Sequence, residues 1–126
     1  MNIPQNLMYT KDHEWARIEG NTAVIGVSEY ATHSLGDLVF VELPEMGRSL
    51  KAHETFGVVE SVKAVSDLFA PLSGKVIARN EAVVSDPSII NQDSYDKGWL
   101  IKIELTNKDA DLKNMLDPKA YAQIAH

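Results

Sequence analysis

Apolar, β-rich residues fall in short runs separated by turn signals every eight to twelve residues or so, some with a period of two, and that pattern predicts strands. Its clearest stretch is 99–105, where Ile101, Ile103 and Leu105 fall on one face and Lys102 and Glu104 on the other; Trp99 reads as core. Runs 15–18 and 22–27 flank Glu19-Gly20-Asn21, which predicts a hairpin. Run 38–43 alternates only in part and stops at Pro44, with Gly47 closing the turn. Residues 55–62 and 65–70 form a second hairpin, and Pro71-Leu72-Ser73-Gly74 turns the chain into strand 75–79.

Helical signals are few. Ser28 is an N-cap for a helix over 29–35, and Gly36 ends it. In the segment 108–125, Leu112, Met115 and Leu116 keep helical spacing. Asp117-Pro118 then starts a last helix with Tyr121 and Ile124 inward. Asp109 and Asp111 read as helix-start electrostatics. The polar stretch 85–97, interrupted by Pro87, predicts a loop with at most one turn. Strands this short, not alternating with helices, exclude a βαβ fold. The expectation is a mainly β protein: one domain over 1–126, a β-sandwich with a short internal helix and C-terminal helices.

Within the second hairpin, Glu60-Ser61-Val62-Lys63-Ala64-Val65-Ser66-Asp67 is nearly palindromic. Folded between Lys63 and Ala64, it pairs Val62 with Val65, Ser61 with Ser66 and Glu60 with Asp67, and it puts Lys63 at the tip. A lysine at a hairpin tip is ordinarily just solvated. Here, however, the tip lacks the Asn-Gly or Asp-Gly of common two-residue loops, like charges face each other, and valines bracket an exposed turn. Several local rules broken together mark a site.

Those residues, with Gly57-Val58-Val59 before them and Leu68, Ala70-Pro71 and Ser73-Gly74-Lys75-Val76 after, closely resemble a lipoyl-attachment site. More narrowly, the chain resembles the H-protein family of the glycine cleavage system. His13-Glu14-Trp15, residues 22–27, Leu35-Gly36-Asp37, residues 39–44, residues 98–103 and Tyr121 also look like that family, so the likeness spans roughly 7–121. A lone Val-Lys-Ala would carry little; this many matches in order carry much.

The resemblance implies a lipoyl-type β-sandwich (a barrel-sandwich hybrid) and lipoic acid in amide linkage to Lys63. Glu60, Ser61, Val62 and Ala64 would be the surface recognised during lipoylation; Gly74, with Gly57, would allow close backbone approach. It further implies a carrier without catalysis of its own. Such a carrier takes the aminomethyl group of glycine from a pyridoxal-phosphate glycine decarboxylase to a tetrahydrofolate-dependent aminomethyltransferase, and is reoxidised by dihydrolipoyl dehydrogenase. A lipoate ligase or an octanoyl/lipoyl transferase would install the arm. Glu14 and Asp67 match positions lining a cleft that shelters the loaded arm. Some members have histidine at the position of Ser34, whereas here His33 comes one residue earlier and is assigned no role.

Composition narrows the alternatives. A net charge of -6 and pI near 5.1 argue against nucleic acid and anionic membrane surfaces. With no cysteine, neither a disulfide scaffold nor a thiolate metal site is open. His13, His33, His53 and His126 lack metal-ligand spacing, and Ser61 and Ser66 lack an evident base. The start of the chain has neither a signal-peptide core nor a transit pattern, so a cytoplasmic monomer is expected. Three classes remain: this carrier; another modified carrier (a lipoyl domain of a 2-oxoacid dehydrogenase complex, a lipoyl-relay protein or a biotin carrier); or a plain β-sandwich interaction module. Methionines usually flank a biotinyl lysine, and Asp usually precedes the lysine in oxoacid-complex domains; neither occurs at Val62 or Ala64.

Overall fold

The computed structural model describes residues 2–125; Met1 and His126 lie outside the described residues, and with them the ends of the expected 1–126 domain and the fourth histidine. Its strands are β1 (Met8–Tyr9), β2 (Glu14–Glu19), β3 (Thr22–Val27), β4 (Leu38–Glu42), β5 (Ser49–Leu50), β6 (Thr55–Ser61), β7 (Val65–Phe69), β8 (Gly74–Arg79) and β9 (Ile101–Leu105). They form two antiparallel sheets, one of order β1-β2-β3-β9-β8-β5 and one of order β4-β6-β7. The expected mainly β class and sandwich architecture are therefore what the chain adopts. The period-two rhythm explains why: Ile101, Ile103 and Leu105 of β9 and Val76 of β8 turn inward to meet Val41, Phe56, Val59 and Leu68 of the smaller sheet.

Helix α1 (Glu29–Leu35) starts and stops where capping chemistry says it should: the Ser28 hydroxyl accepts from Ala31 N–H, and Gly36 adopts φ 84°. Asp117 caps α5 (Pro118–Ala122) in the same way. The structure departs from the sequence reading at three places. Helix α2 (Glu81–Ser85) follows β8 where no helix is expected, while α3 (Ser88–Gln92), plugged into the core by fully buried Ile90, is the short turn that stretch 85–97 allowed. Ile124 is 41% exposed because α5 has ended before it, and Ala125 turns inward in its place. Asp111, on α4 (Lys108–Leu112), is buried and accepts the Ser73 N–H at 2.7 Å, so it latches a distant loop instead of merely facing a helix dipole.

A second cluster lies outside the sandwich. There Tyr9 stacks on Tyr121 at 4.4 Å between ring centres, beside buried Trp15 and half-buried Trp99. The His13-Glu14-Trp15 run works in this region. The Trp15 indole N–H is shared between the carbonyls of Val27 and Ser94, and His13 Nδ1 lies 2.7 Å from the Tyr121 hydroxyl. That same hydroxyl is 2.6 Å from Ser28 Oγ, which ties α5 to the start of α1.

Candidate functional site

The lysine hairpin exists, with a register other than the palindrome suggests. Glu60 pairs with Val65, Val59 with Ser66, Val58 with Asp67 and Gly57 with Leu68. The two tip residues are thus Val62 and Lys63, not Lys63 and Ala64, and Glu60 does not face Asp67. Ser61 supplies the reason. Its N–H donates to the Ala64 carbonyl at 2.7 Å, while its hydroxyl accepts from Ala64 N–H at 3.0 Å and from Lys63 N–H at 3.2 Å. Positive φ among described non-glycine residues occurs only at His13 and His53, so Val62 and Lys63 do not form the mirror-image turn that Asn-Gly serves. A serine side chain closes the turn instead, which is why no glycine is needed there.

Lys63 is exposed, and no ion pair among the described residues engages it. The turn beneath it is held from one side. Val62 N–H donates to the Asp37 carbonyl at 3.2 Å, and a Cβ placed on Gly36 would sit 3.7 Å from Lys63 Cε, so the stem passes over the end of α1. An unpaired, solvent-facing amine on a fixed turn meets the needs of amide formation with a carboxylic cofactor. Around it, Val39, Phe40, Val62 and Val65 are 55%, 44%, 75% and 66% exposed. A bulge between Leu38 and Phe40 turns two successive apolar side chains outward, and Glu60 sits half-buried between Phe40 and Val65 across the sheet.

The other expected residues divide. Ser61 is only 9% exposed, so it builds the turn more than it meets a partner, while Val62 and Ala64 are open to solvent. Gly74 is buried in the larger sheet, paired with Leu50 and Leu105, and an added Cβ would lie 2.5 Å from the Glu104 carbonyl oxygen. Close backbone approach is therefore its evident role; it is not part of the tip. Gly57, under the Glu42 carbonyl, has no room for a Cβ either.

Glu14 opens β2 and is 2% exposed. Its carboxylate accepts from Thr10 Oγ1 at 2.7 Å and from Phe69 N–H at 3.2 Å. Because Phe69 ends β7, the open edge of the smaller sheet, Glu14 reaches across from the larger sheet to the hairpin's own strand. Burial pushes its pKa up to about 7; the two hydrogen bonds pull it back, and Asp12 adds to the rise. Asp67 lies two residues earlier on β7, exposed. The two carboxylates thus sit along the edge that runs up to Lys63, one buried and one in solvent. His33 and Ser34 both face solvent on α1, beside buried Thr32. Among the described residues, no group of three or more potential ligand side chains could hold a metal ion and no helix is long and apolar enough to cross a membrane.

Sequence reasoning missed Thr10, which fixes Glu14, and Phe40, whose only trace was the broken alternation of run 38–43. It also missed Asn91 on α3, which holds both ends of residues 36–38: its amide donates to the Gly36 carbonyl and its oxygen accepts from Leu38 N–H, each at 2.9 Å.

Comparison with known proteins places this geometry among relatives. The family model described as "Glycine cleavage H-protein" matches residues 7–126. The glycine cleavage system H protein of Symbiobacterium thermophilum is 56% identical over 120 residues, 95% of this chain and 93% of that one. The protein of the same name from Carboxydothermus hydrogenoformans is 48% identical, covering 97% and 93%. The crystal structure of a glycine cleavage system H protein from Mycobacterium marinum superposes with a TM-score of 0.89 at 42% identity, covering 96% of this chain and 97% of that one.

Proposed function

Since the chain belongs to the glycine cleavage H-protein family, a family of non-catalytic lipoyl carriers, we propose that Lys63 is the residue that carries its lipoyl group. The observation that bears most weight is the exposed, unpaired Lys63 amine on a turn fixed by Ser61 and by the Asp37 carbonyl. When attached, lipoate supplies what side chains cannot: a redox-active disulfide that accepts an aminomethyl group and is later reoxidised.

The chain's own residues do the rest. The rigid tip brings the lysine to a lipoate ligase or octanoyl/lipoyl transferase; Val62, Ala64 and Glu60 form the surface met there, and Phe40 and Val65 frame it. The carrier then serves a pyridoxal-phosphate glycine decarboxylase, a tetrahydrofolate-dependent aminomethyltransferase and dihydrolipoyl dehydrogenase in turn, as a monomer of one domain in the cytoplasm. Glu14 and Asp67 hold the ammonium end of the cargo along the β7 edge. A carboxylate buried beside an edge gains most by meeting a cation, since pairing relieves its desolvation.

Lys63→Arg tests the assignment. Incubated with lipoate, ATP and a lipoate ligase, the wild-type hairpin peptide should gain one lipoyl mass and the variant none, with thermal midpoints within about 1–2 °C of each other because an exposed turn residue packs against little. A lipoyl mass on any other lysine of the wild type would refute it.

A further inference from the structure

Helix α3 comes well after the lysine hairpin in sequence, yet its side chains reach the segment that supports the tip. Asn91 Nδ2 donates to Gly36 O and Asn91 Oδ1 accepts from Leu38 N–H, both at 2.9 Å. Between those two points the Asp37 carbonyl accepts the Val62 N–H, which anchors the tip from outside the hairpin. Gly36 in turn lies under the Lys63 stem. The helix is itself set: Ile90 is fully buried, and Gly98 approaches so closely that a Cβ there would lie 2.9 Å from Ile90 Cα. A rigid element therefore ends in a two-pronged amide, the amide fixes three residues, and the middle one fixes the turn.

We propose that Asn91 is a positioning residue for lipoylation, holding residues 36–38 so that the Val62–Lys63 turn is kept in the conformation the attaching enzyme accepts. The proposal rests on Lys63 being the lipoylated residue. At that stage the long arm is absent, so the lysine itself must thread into the enzyme's active site, and a wandering tip is felt directly. When only a fraction of carriers hold the competent turn, apparent affinity falls by that fraction while the chemical step is untouched. Ser61 closes the turn from within; Asn91 braces, by side-chain hydrogen bonds, the segment whose Asp37 carbonyl holds the turn from without.

The test is steady-state lipoylation of the full chain by a lipoate ligase with Asn91→Ala as acceptor, alongside amide hydrogen exchange. Expected is a rise in KM for the carrier of about tenfold with kcat within about twofold, faster exchange at the Val62 amide, and unchanged protection at Ile103 in β9. Asn91→Asp, which keeps the acceptor for Leu38 N–H and loses the donor to Gly36, should fall between wild type and Asn91→Ala, and serves if the alanine variant folds poorly. An unchanged KM with faster Val62 exchange would overturn the proposal, as would unchanged Val62 exchange. If the wild-type hairpin peptide gains no lipoyl mass, the Lys63 assignment has failed instead; if it gains one and both variants match its KM, only the Asn91 proposal has failed.

Discussion

Replacing Glu14 by Gln should reverse its effect on stability between mildly acidic and alkaline solution. Burial raises the Glu14 pKa from its ordinary 4.5 to about 7 in the folded protein, so the folded state holds the proton more tightly than the unfolded one. A state that binds more protons is favoured at low pH, so this group's contribution is fully present below about 4.5 and is lost as pH rises toward and through 7. The full shift corresponds to roughly 3 kcal/mol at about 1.36 kcal/mol per unit, of which about 2 kcal/mol falls between about pH 5.5 and pH 8.5. Gln cannot ionise, so it escapes that loss, but Thr10 Oγ1 and Phe69 N–H meet different oxygens of Glu14, and Gln sets an NH2 donor against one of them, a deficit of about 1 kcal/mol. Glu14→Gln should therefore be about even with, or slightly less stable than, the wild type near pH 5.5 and about 1–2 kcal/mol more stable near pH 8.5. Urea unfolding of the unlipoylated protein across that range, followed by tryptophan fluorescence, measures the difference directly. A wild-type-to-variant difference that stays constant with pH would refute the buried, proton-holding Glu14 described above.

Glu14→Ala and Asp67→Ala should each leave lipoylation intact while shortening the half-life of the aminomethyl-loaded carrier, read by mass spectrometry against time; an unchanged half-life removes that residue from the cargo-holding edge. Gly57→Ala forces a methyl group into the Glu42 carbonyl and should cost about 1–3 kcal/mol, visible as a lower urea midpoint with an unchanged slope. A midpoint equal to wild type would mean that β4 and β6 are not held as close as described.

What the sequence carried well were features decided by neighbours in the chain. Alternation located β9 and its buried face, Ser28 and Gly36 bounded α1, and Asp117-Pro118 started α5, because each depends on residues within a turn or a strand of one another. The hairpin's existence was legible for the same reason. Its register was not, because the palindrome concerns residue likeness, whereas the Ser61 hydroxyl decides where the turn closes and Gly57 decides what can lie under Glu42. The facing of Glu60 and Asp67 that helped flag the site proves absent, and the flag stands on Lys63 and its valines instead.

Long-range bonds account for the other misses. Helix α2, like the short turn of α3, is five residues long, too short for periodicity to show, and the two are held by Ile90 packing and by side chains such as Asn80, whose amide donates to the carbonyls of Lys97 and Trp99. Asp111 looked like a local helix feature because nothing near it names Ser73, 38 residues away. Glu14 was singled out by resemblance alone; its pKa is raised by burial between the two sheets, and the Phe69 N–H that meets it there comes from 55 residues away, outside any short window.

The lysine tip is braced on its β4 side, through Asp37, and bare on its β7 side, where the smaller sheet simply ends. It behaves as a gate hung from a single post. On the first flank a backbone hydrogen bond meets the turn; on the second the ladder carries no further strand. Any partner that reaches Lys63 therefore meets two unlike flanks, and its footprint on the hairpin should be lopsided.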